Sequence, residues 1–277
     1  MTPALADLPP LRESLAAHGL LAKKAFGQHF LLDLNITRKI ARLAELGPGD
    51  QVIEVGPGPG GLTRALLETG ARVVAVEKDE RFQPLLEELR DAAPTLELVF
   101  GDALKVDEAK LAGPSPVHLV SNLPYNVGTA LLIKWLTGPW TPASLTLMFQ
   151  KEVADRIVAQ PGEDAYGRLA VIVSATCRAQ RVMDVPARAF TPPPKVDSAV
   201  VRLVPHAERS DAELLRQLER ITAAAFGQRR KMLRSSLKAL GGEALADAAG
   251  VDPQARAETV DLAGFLRLAA ELGRRSG

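Results

Sequence analysis

The sequence predicts an α/β protein: a mostly parallel sheet covered by helices, followed by a small helical domain. Three observations carry this. Short β-branched runs alternate with helix-like runs from residue 51 onward, a glycine-rich turn follows the first of them, and strand character gives way to helix-like segments after Pro205. The expected domains are residues 1–205 and 206–277.

"QVIEV" at 51–55 is the first strand, and its turn leads into "LTRALLETG", a helix ended by Gly70. "RVVAVE" from Arg72 to Glu77 returns to strand, and "LLEELRDAA", "LELVF", "VHLVS" and "TALLIKWL" continue the alternation. "LTLMF" at 145–149, "LAVIVSATC" from Leu169 and "AVVRLV" from Ala199 are expected as strands, and two antiparallel strands would close the sheet. In "DAELLRQLERITAAAF", Leu214, Leu218, Ile221 and Ala225 share one helical face and so require a partner surface. "RKMLRSSLKAL" also reads as a helix, with shorter ones expected near 243–249 and 262–272.

The 277 residues suffice for one substantial core or for a main domain with a companion, and the formal net charge of +1 announces no nucleic-acid partner, so any basic footprint is local. The single cysteine, Cys177, excludes an intramolecular disulfide framework and sits in an apolar run, as a buried thiol does. His18, His29, His118 and His206 are scattered, and no metal site is expected. Without an apolar leader or a membrane-length run the protein reads as cytoplasmic, with no membrane partner; without an evident dimerisation element it reads as a monomer.

"EVGPGPGGLT" holds Gly56, Gly58, Gly60 and Gly61 in a tight strand-to-helix turn that a ligand can approach closely. Alone, such a turn needs no ligand. Glu77 ends the second strand, where a carboxylate can accept from a ribose, and Asp102 in "GDAL" follows the next, where it can accept from an adenine amino group. No GKS or GKT phosphate loop is present, while Gly56, Gly58 and Gly61 match the dinucleotide spacing. "NLPY" decides for S-adenosylmethionine. Asn122 offers an amide oxygen and Leu123 a backbone carbonyl to the two hydrogens of an amine, Pro124 restricts the turn, and Tyr125 can lie against a flat heterocycle. That chemistry suits an extruded or unpaired adenine.

"GQHFL", "EVGPGPG", "GDA", "NLPY", "YGRL", "FTPPPKVDSAV" and "FGQRRKMLRSSL" occur in an order that resembles the ribosomal RNA adenine dimethylase family, its bacterial small-subunit members most, over about residues 20 to 240. The resemblance implies a Rossmann-like S-adenosylmethionine-dependent methyltransferase domain with the small C-terminal helical domain. It places Gln28 and His29 beside the methionine part of the cofactor with Phe30 packed near, Gly56, Gly58 and Gly60 around its loop, Glu77 on the ribose and Asp102 on the adenine. Glu54, Lys78, Ala103 and Asn122 complete that cofactor set. Asn122, Leu123, Pro124 and Tyr125 then form the target-base site, with Phe190 before the stiff "TPPPK" loop; Tyr166 has a weaker claim. The implied reaction is direct attack of adenine N6 on the cofactor's methyl carbon, twice on each of two adjacent adenosines near the 3′ end of 16S ribosomal RNA, within the small subunit or its precursor. No nucleophilic side chain or dedicated base is needed.

As a helix, "QRRKMLRSSLK" projects Arg230, Lys231, Arg234 and Lys238 on one face, with Arg229 adjoining, and Met232, Leu233, Leu237 and Leu240 on the other. Paired with an adenine site, this basic face is expected to meet RNA phosphate, extended by Lys23, Lys24 and Lys195. Two alternatives stand beside this reading: a large-subunit ribosomal RNA adenine methylase, and a noncatalytic ribosome-assembly factor. A DNA adenine methylase fits less well, because Leu123 stands where that motif carries a proline.

Overall fold

The computed structural model describes residues 5–20 and 29–276, and the chain divides into two compact units. Met1–Leu131, Pro142–Ala154 and Arg181–Leu203 form the first; Leu132–Thr141, Asp155–Gln180 and Val204–Gly277 form the second.

The chain begins with α1 (Leu11–Ala17), β1 (Phe30–Leu31) and α2 (Leu34–Leu43), the last capped by Asp33, whose carboxylate accepts from the Asn35 amide at 2.9 Å. There follow β2 (Gln51–Val55), α3 (Gly61–Leu67), β3 (Arg72–Glu77), α4 (Gln83–Ala92), β4 (Leu96–Phe100), α5 (Glu108–Leu111), β5 (Val117–Asn122), α6 (Gly128–Thr137), β6 (Ser144–Gln150) and α7 (Lys151–Val158). Then come α8 (Arg168–Thr176), β7 (Cys177–Val185), β8 (Phe190–Thr191) and β9 (Ser198–Pro205).

Seven strands make one sheet in the order β4-β3-β2-β5-β6-β9-β7. From β4 to β6 all pairs are parallel, and β9 runs antiparallel to β6 with Phe149 opposite Ala199. Val52, Ile53, Val74 and Val120 are wholly buried, because helices cover both faces of a parallel sheet and a strand there is apolar on both sides. The order reverses beside β2: β3 and β4 lie to one side, β5 and β6 to the other. In an open α/β sheet this switch point leaves a crevice at the carboxyl ends of the strands.

One expected strand is a helix. "LAVIVSATC" forms α8 except for Cys177, which begins β7. Ala170, Val171, Ile172, Val173 and Ala175 are all buried, so the run has no polar period by which sequence distinguishes a buried helix from a buried strand. Packing overrides the β-branched preference.

The second unit has its own core. α9 (Ala212–Gly227) buries Leu218, Ile221 and Ala225 on the expected face, among Leu233, Leu237, Leu245, Phe265 and Leu268. Asp211 caps it, accepting from the Glu213 and Leu214 amides at 2.8 and 3.2 Å. α10 (Leu233–Ser236), α11 (Gly242–Ala248) and α12 (Leu262–Ser276) complete it. The continuous helix expected over "RKMLRSSLKAL" is absent: one turn of α10 is followed by a short 3₁₀ turn at Lys238–Leu240. Long-range backbone bonds replace helical ones, since the Leu233 and Arg234 amides donate to the Ala255 and Pro253 carbonyls at 2.8 and 2.9 Å.

Candidate functional site

At the switch point lies a cavity of about 520 Å³, lined by residues that follow β2, β3 and β5 together with His29–Leu31 and Phe190. Sequence order brings none of these segments together. The parallel sheet does, because each strand ends at the same edge and each loop begins there.

The turn after β2 carries Gly56, Gly58 and Gly60 at φ of 69°, 53° and 83°, in the left-handed region that costs other residues about 1–2 kcal/mol. Gly61 is required for another reason: a Cβ there would stand 2.6 Å from the Leu31 carbonyl oxygen. The turn is held by Glu77. Its carboxylate accepts from the Gly58 amide at 3.0 Å and from the Lys78 and Asp79 amides at 2.8 Å each. Burial pushes this carboxyl above its ordinary range, against the pull of those three N–H groups. Oε1 takes both the Lys78 and Asp79 amides, while Oε2 takes only the Gly58 amide and retains a second lone pair with which to receive a hydroxyl.

Glu54, at the end of β2, is 1% exposed, and its Oε2 has no hydrogen-bond partner among the described residues. Burial pushes its carboxyl up to about 8, with the Thr63 hydroxyl opposing and Glu77 adding to the rise. A buried, unpartnered carboxylate oxygen on a cavity wall calls for a donor or a positive charge from a ligand. Phe30 and Phe82, edge-on at 5.6 Å, give the same cavity an apolar wall. Acidic groups for a cation and for ribose hydroxyls, beside flat apolar surface, fit S-adenosylmethionine.

On the other side, the Asn122 side chain and the Leu123 carbonyl have no hydrogen-bond partners among the described residues, and both residues line the cavity with Pro124 and Tyr125. Pro124 packs over the backbone of Gly56, where a Cβ would meet its ring at 3.5 Å. Phe190 is 3% exposed and forms part of the same lining, so it is both a core residue and a wall. Tyr125 hydrogen-bonds through its hydroxyl to Ser198 at 2.8 Å.

Of the residues expected from sequence, His29, Phe30, Glu54, Gly56, Gly58, Glu77, Asn122, Leu123, Pro124, Tyr125 and Phe190 converge on the cavity. Gly60, Lys78, Asp102 and Ala103 are not in its lining. Lys78 Nζ lies 2.9 Å from an Asp102 oxygen and, with the Leu104 amide, holds that carboxyl below its usual range. Gln28, Lys23 and Lys24 lie outside the described residues. Tyr166 belongs to the core of the second unit, its hydroxyl donating to the Val260 carbonyl at 3.0 Å. Sequence reasoning passed over Leu31, Pro57, Pro59, Leu62, Asp79, Phe82 and Asn126 as lining residues, and it named Gly61 in the glycine turn without placing it on the cofactor. Pro57, Pro59 and Asn126 could have been found within or beside the motifs; Phe82 gives no signal before the chain folds.

Arg230, Lys231, Arg234 and Lys238 are exposed in the second unit, with Arg230 and Lys231 before α10, Arg234 in its single turn and Lys238 in the 3₁₀ turn after it, so they share no continuous helix face. Arg229 is engaged, its guanidinium 2.9 Å from Glu258 and 2.7 Å from the Asp164 carbonyl oxygen. Met232, expected on the apolar side, is 39% exposed. No helix among the described residues is long and apolar enough to cross a membrane.

The profile described as "Ribosomal RNA adenine dimethylase" matches residues 19–273. A protein of Phenylobacterium zucineum named "Ribosomal RNA small subunit methyltransferase A" is 78% identical over 98% of this chain and 96% of its own length. One of the same name from Caulobacter vibrioides is 74% identical over 91% and 98%. Among solved structures, a dimethyladenosine transferase from Plasmodium falciparum is similar at a TM-score of 0.73 and 26% identity, covering 90% of this chain and 98% of that one. The 23S rRNA methyltransferase ErmE is similar at 0.66 and 31%, over 88% and 99%. Around a cavity walled by a glycine turn, two acidic strand residues and the Asn122 amide, the family model and these relatives match nearly the whole chain, which belongs to the ribosomal RNA adenine dimethylase family of S-adenosylmethionine-dependent methyltransferases.

Proposed function

We propose that this protein methylates N6 of two adjacent adenosines near the 3′ end of 16S ribosomal RNA, in the small subunit or its precursor, acting as a cytoplasmic monomer and giving N6,N6-dimethyladenosines. One observation carries the reading: the unpartnered Asn122 amide and Leu123 carbonyl open onto the same cavity as the Glu54 and Glu77 carboxylates. The small-subunit target is supported by the relative from Phenylobacterium at 78% identity, against 31% for the 23S enzyme. A role in small-subunit maturation is consistent with that target.

S-adenosylmethionine supplies an electrophilic methyl carbon. Glu54 and Glu77 hold the cofactor's charged and ribose groups at the strand ends. Asn122 Oδ1 and the Leu123 carbonyl accept the two N6 hydrogens and stabilise positive charge as it develops on nitrogen. Tyr125 and Phe190 confine the base in a fixed plane, which converts an encounter into an alignment. After the first methylation one N–H is left, and either acceptor can hold it for the second. The proton goes to solvent. Phosphate contacts by Arg230, Lys231, Arg234 and Lys238, and by Lys195 within the "TPPPK" loop, would orient the RNA without reading its sequence.

The test is labelled methyl transfer to small subunits lacking the modification, mapped by mass spectrometry, with Asn122→Ala in parallel. Two adjacent dimethyladenosines near the 3′ end, and a variant that still binds the particle but transfers roughly 100-fold more slowly, are expected. Transfer to large-subunit RNA instead would favour the reading suggested by ErmE. Equal maturation by protein and variant would favour an assembly factor.

A further inference from the structure

The segment from Phe190 to Ser198 anchors Tyr125 at two points. Ser198, wholly buried at the first position of β9, places its Oγ 2.8 Å from the Tyr125 hydroxyl. The Tyr125 ring also lies beside the His29 imidazole, with centroids 6.2 Å apart and planes at 30°. His29 Nδ1 is in turn 2.8 Å from the Pro192 carbonyl oxygen, which only accepts, so this nitrogen carries the proton.

The segment is itself tied at both ends. Phe190 and Thr191 pair with Leu31 and Phe30. Asp197 receives the Ala187 amide on its side chain at 2.8 Å and the Lys151 amide on its carbonyl at 2.9 Å.

A tyrosine ring without its hydroxyl bond keeps two torsions. Rotation about the ring axis leaves the hydroxyl in place, but tilting the ring sweeps it through several ångströms, so a bond at that atom fixes the tilt. Burial raises the Tyr125 phenol above its ordinary value, opposed by the bond to Ser198, and the hydroxyl stays protonated at neutral pH. An anchor, rather than a reactive phenolate, is what this geometry builds.

We propose that Ser198 is a positioning residue for methyl transfer, setting through the Tyr125 hydroxyl the angle at which the aromatic wall meets the target adenine. The proposal rests on the reading of Tyr125 as a wall of the target-base pocket. His29, held by Pro192, limits the same ring from its side.

The experiment is a double-mutant cycle of Ser198→Ala and Tyr125→Phe, read as kcat and KM for RNA and as cofactor affinity, with the order of the Tyr125 ring followed by NMR. The chain has two tyrosines, so Tyr166 serves as an internal reference. Expected are a loss of roughly tenfold in kcat for each single variant and no further loss in the double. Cofactor affinity should hold, and the Tyr125 ring alone should loosen in Ser198→Ala. Tyr125→Phe removes the same bond without disturbing β9, so an unfolded Ser198→Ala does not end the test. Additive losses, an unchanged kcat in Ser198→Ala, or a Tyr125 ring that stays as ordered as before would overturn the proposal. If the unaltered protein methylates no small-subunit RNA while the ring still loosens, the target reading fails and the anchoring by Ser198 stands.

Discussion

The Gly58 amide donates to the Glu77 carboxylate across 3.0 Å, joining the turn after β2 to the end of β3. The acidic residue proposed to hold the ribose therefore also shapes the turn on the cavity wall. Glu77→Ala is expected to leave three amides without their acceptor, destabilise the protein by about 1–3 kcal/mol and weaken cofactor binding by more than roughly tenfold. Thermal unfolding and titration calorimetry measure the two effects separately. Normal cofactor affinity in a folded variant would remove Glu77 from the ribose.

Glu54 gives stability a pH dependence. Its folded-state carboxyl sits at about 8, above the ordinary 4.5, so the folded protein holds a proton that the unfolded chain releases between those values. Stability from this group is full below 4.5 and is lost as pH rises to about 8. In Glu54→Gln that decline should vanish, seen as a flatter melting temperature across the window. Binding a cation beside Glu54 favours the carboxylate, so cofactor binding near pH 7 should release a proton, measurable by calorimetry in buffers of different ionisation enthalpy.

Gly58 and Gly61 should fail differently as alanine. At Gly58 the φ of 53° is the obstacle and the nearest atom to a Cβ is 3.8 Å away, so about 1–2 kcal/mol is expected. At Gly61 the backbone angle is ordinary, but the Leu31 carbonyl blocks the Cβ at 2.6 Å, and backbone cannot rotate aside as a side chain can. Gly61→Ala should displace β1 and with it Phe30, costing both stability and cofactor affinity. Equal loss in the two variants would contradict this.

Arg229 and Arg230 are neighbours with different expected roles. Arg229→Ala breaks the contacts to Glu258 and Asp164 and should cost about 1 kcal/mol of stability. Arg230→Ala and Lys231→Ala should leave stability unchanged and lower the salt dependence of RNA binding by about one counterion each. Melting temperatures and binding across a salt series separate the two cases.

Where residues carry their meaning locally, the sequence alone was enough. The glycines of "EVGPGPGG" announce a tight turn that a ligand can approach closely, and Glu77 and Asn122 end strands whose apolar runs are plain to read. The motifs in order identified the family, and the alternation from residue 51 foretold a parallel sheet. Only tertiary structure decided that "LAVIVSATC" is mostly helix, because a segment buried on every side has no period to read. It also decided that the basic segment turns back instead of running as a helix, since the Ala255 and Pro253 carbonyls capture its amides from about twenty residues away. The contact between Tyr125 and Ser198, 73 residues apart, belongs to the same class: β5 and β9 flank β6, with the end of one and the start of the other at the same end of that strand, and no pattern within either motif encodes that distance.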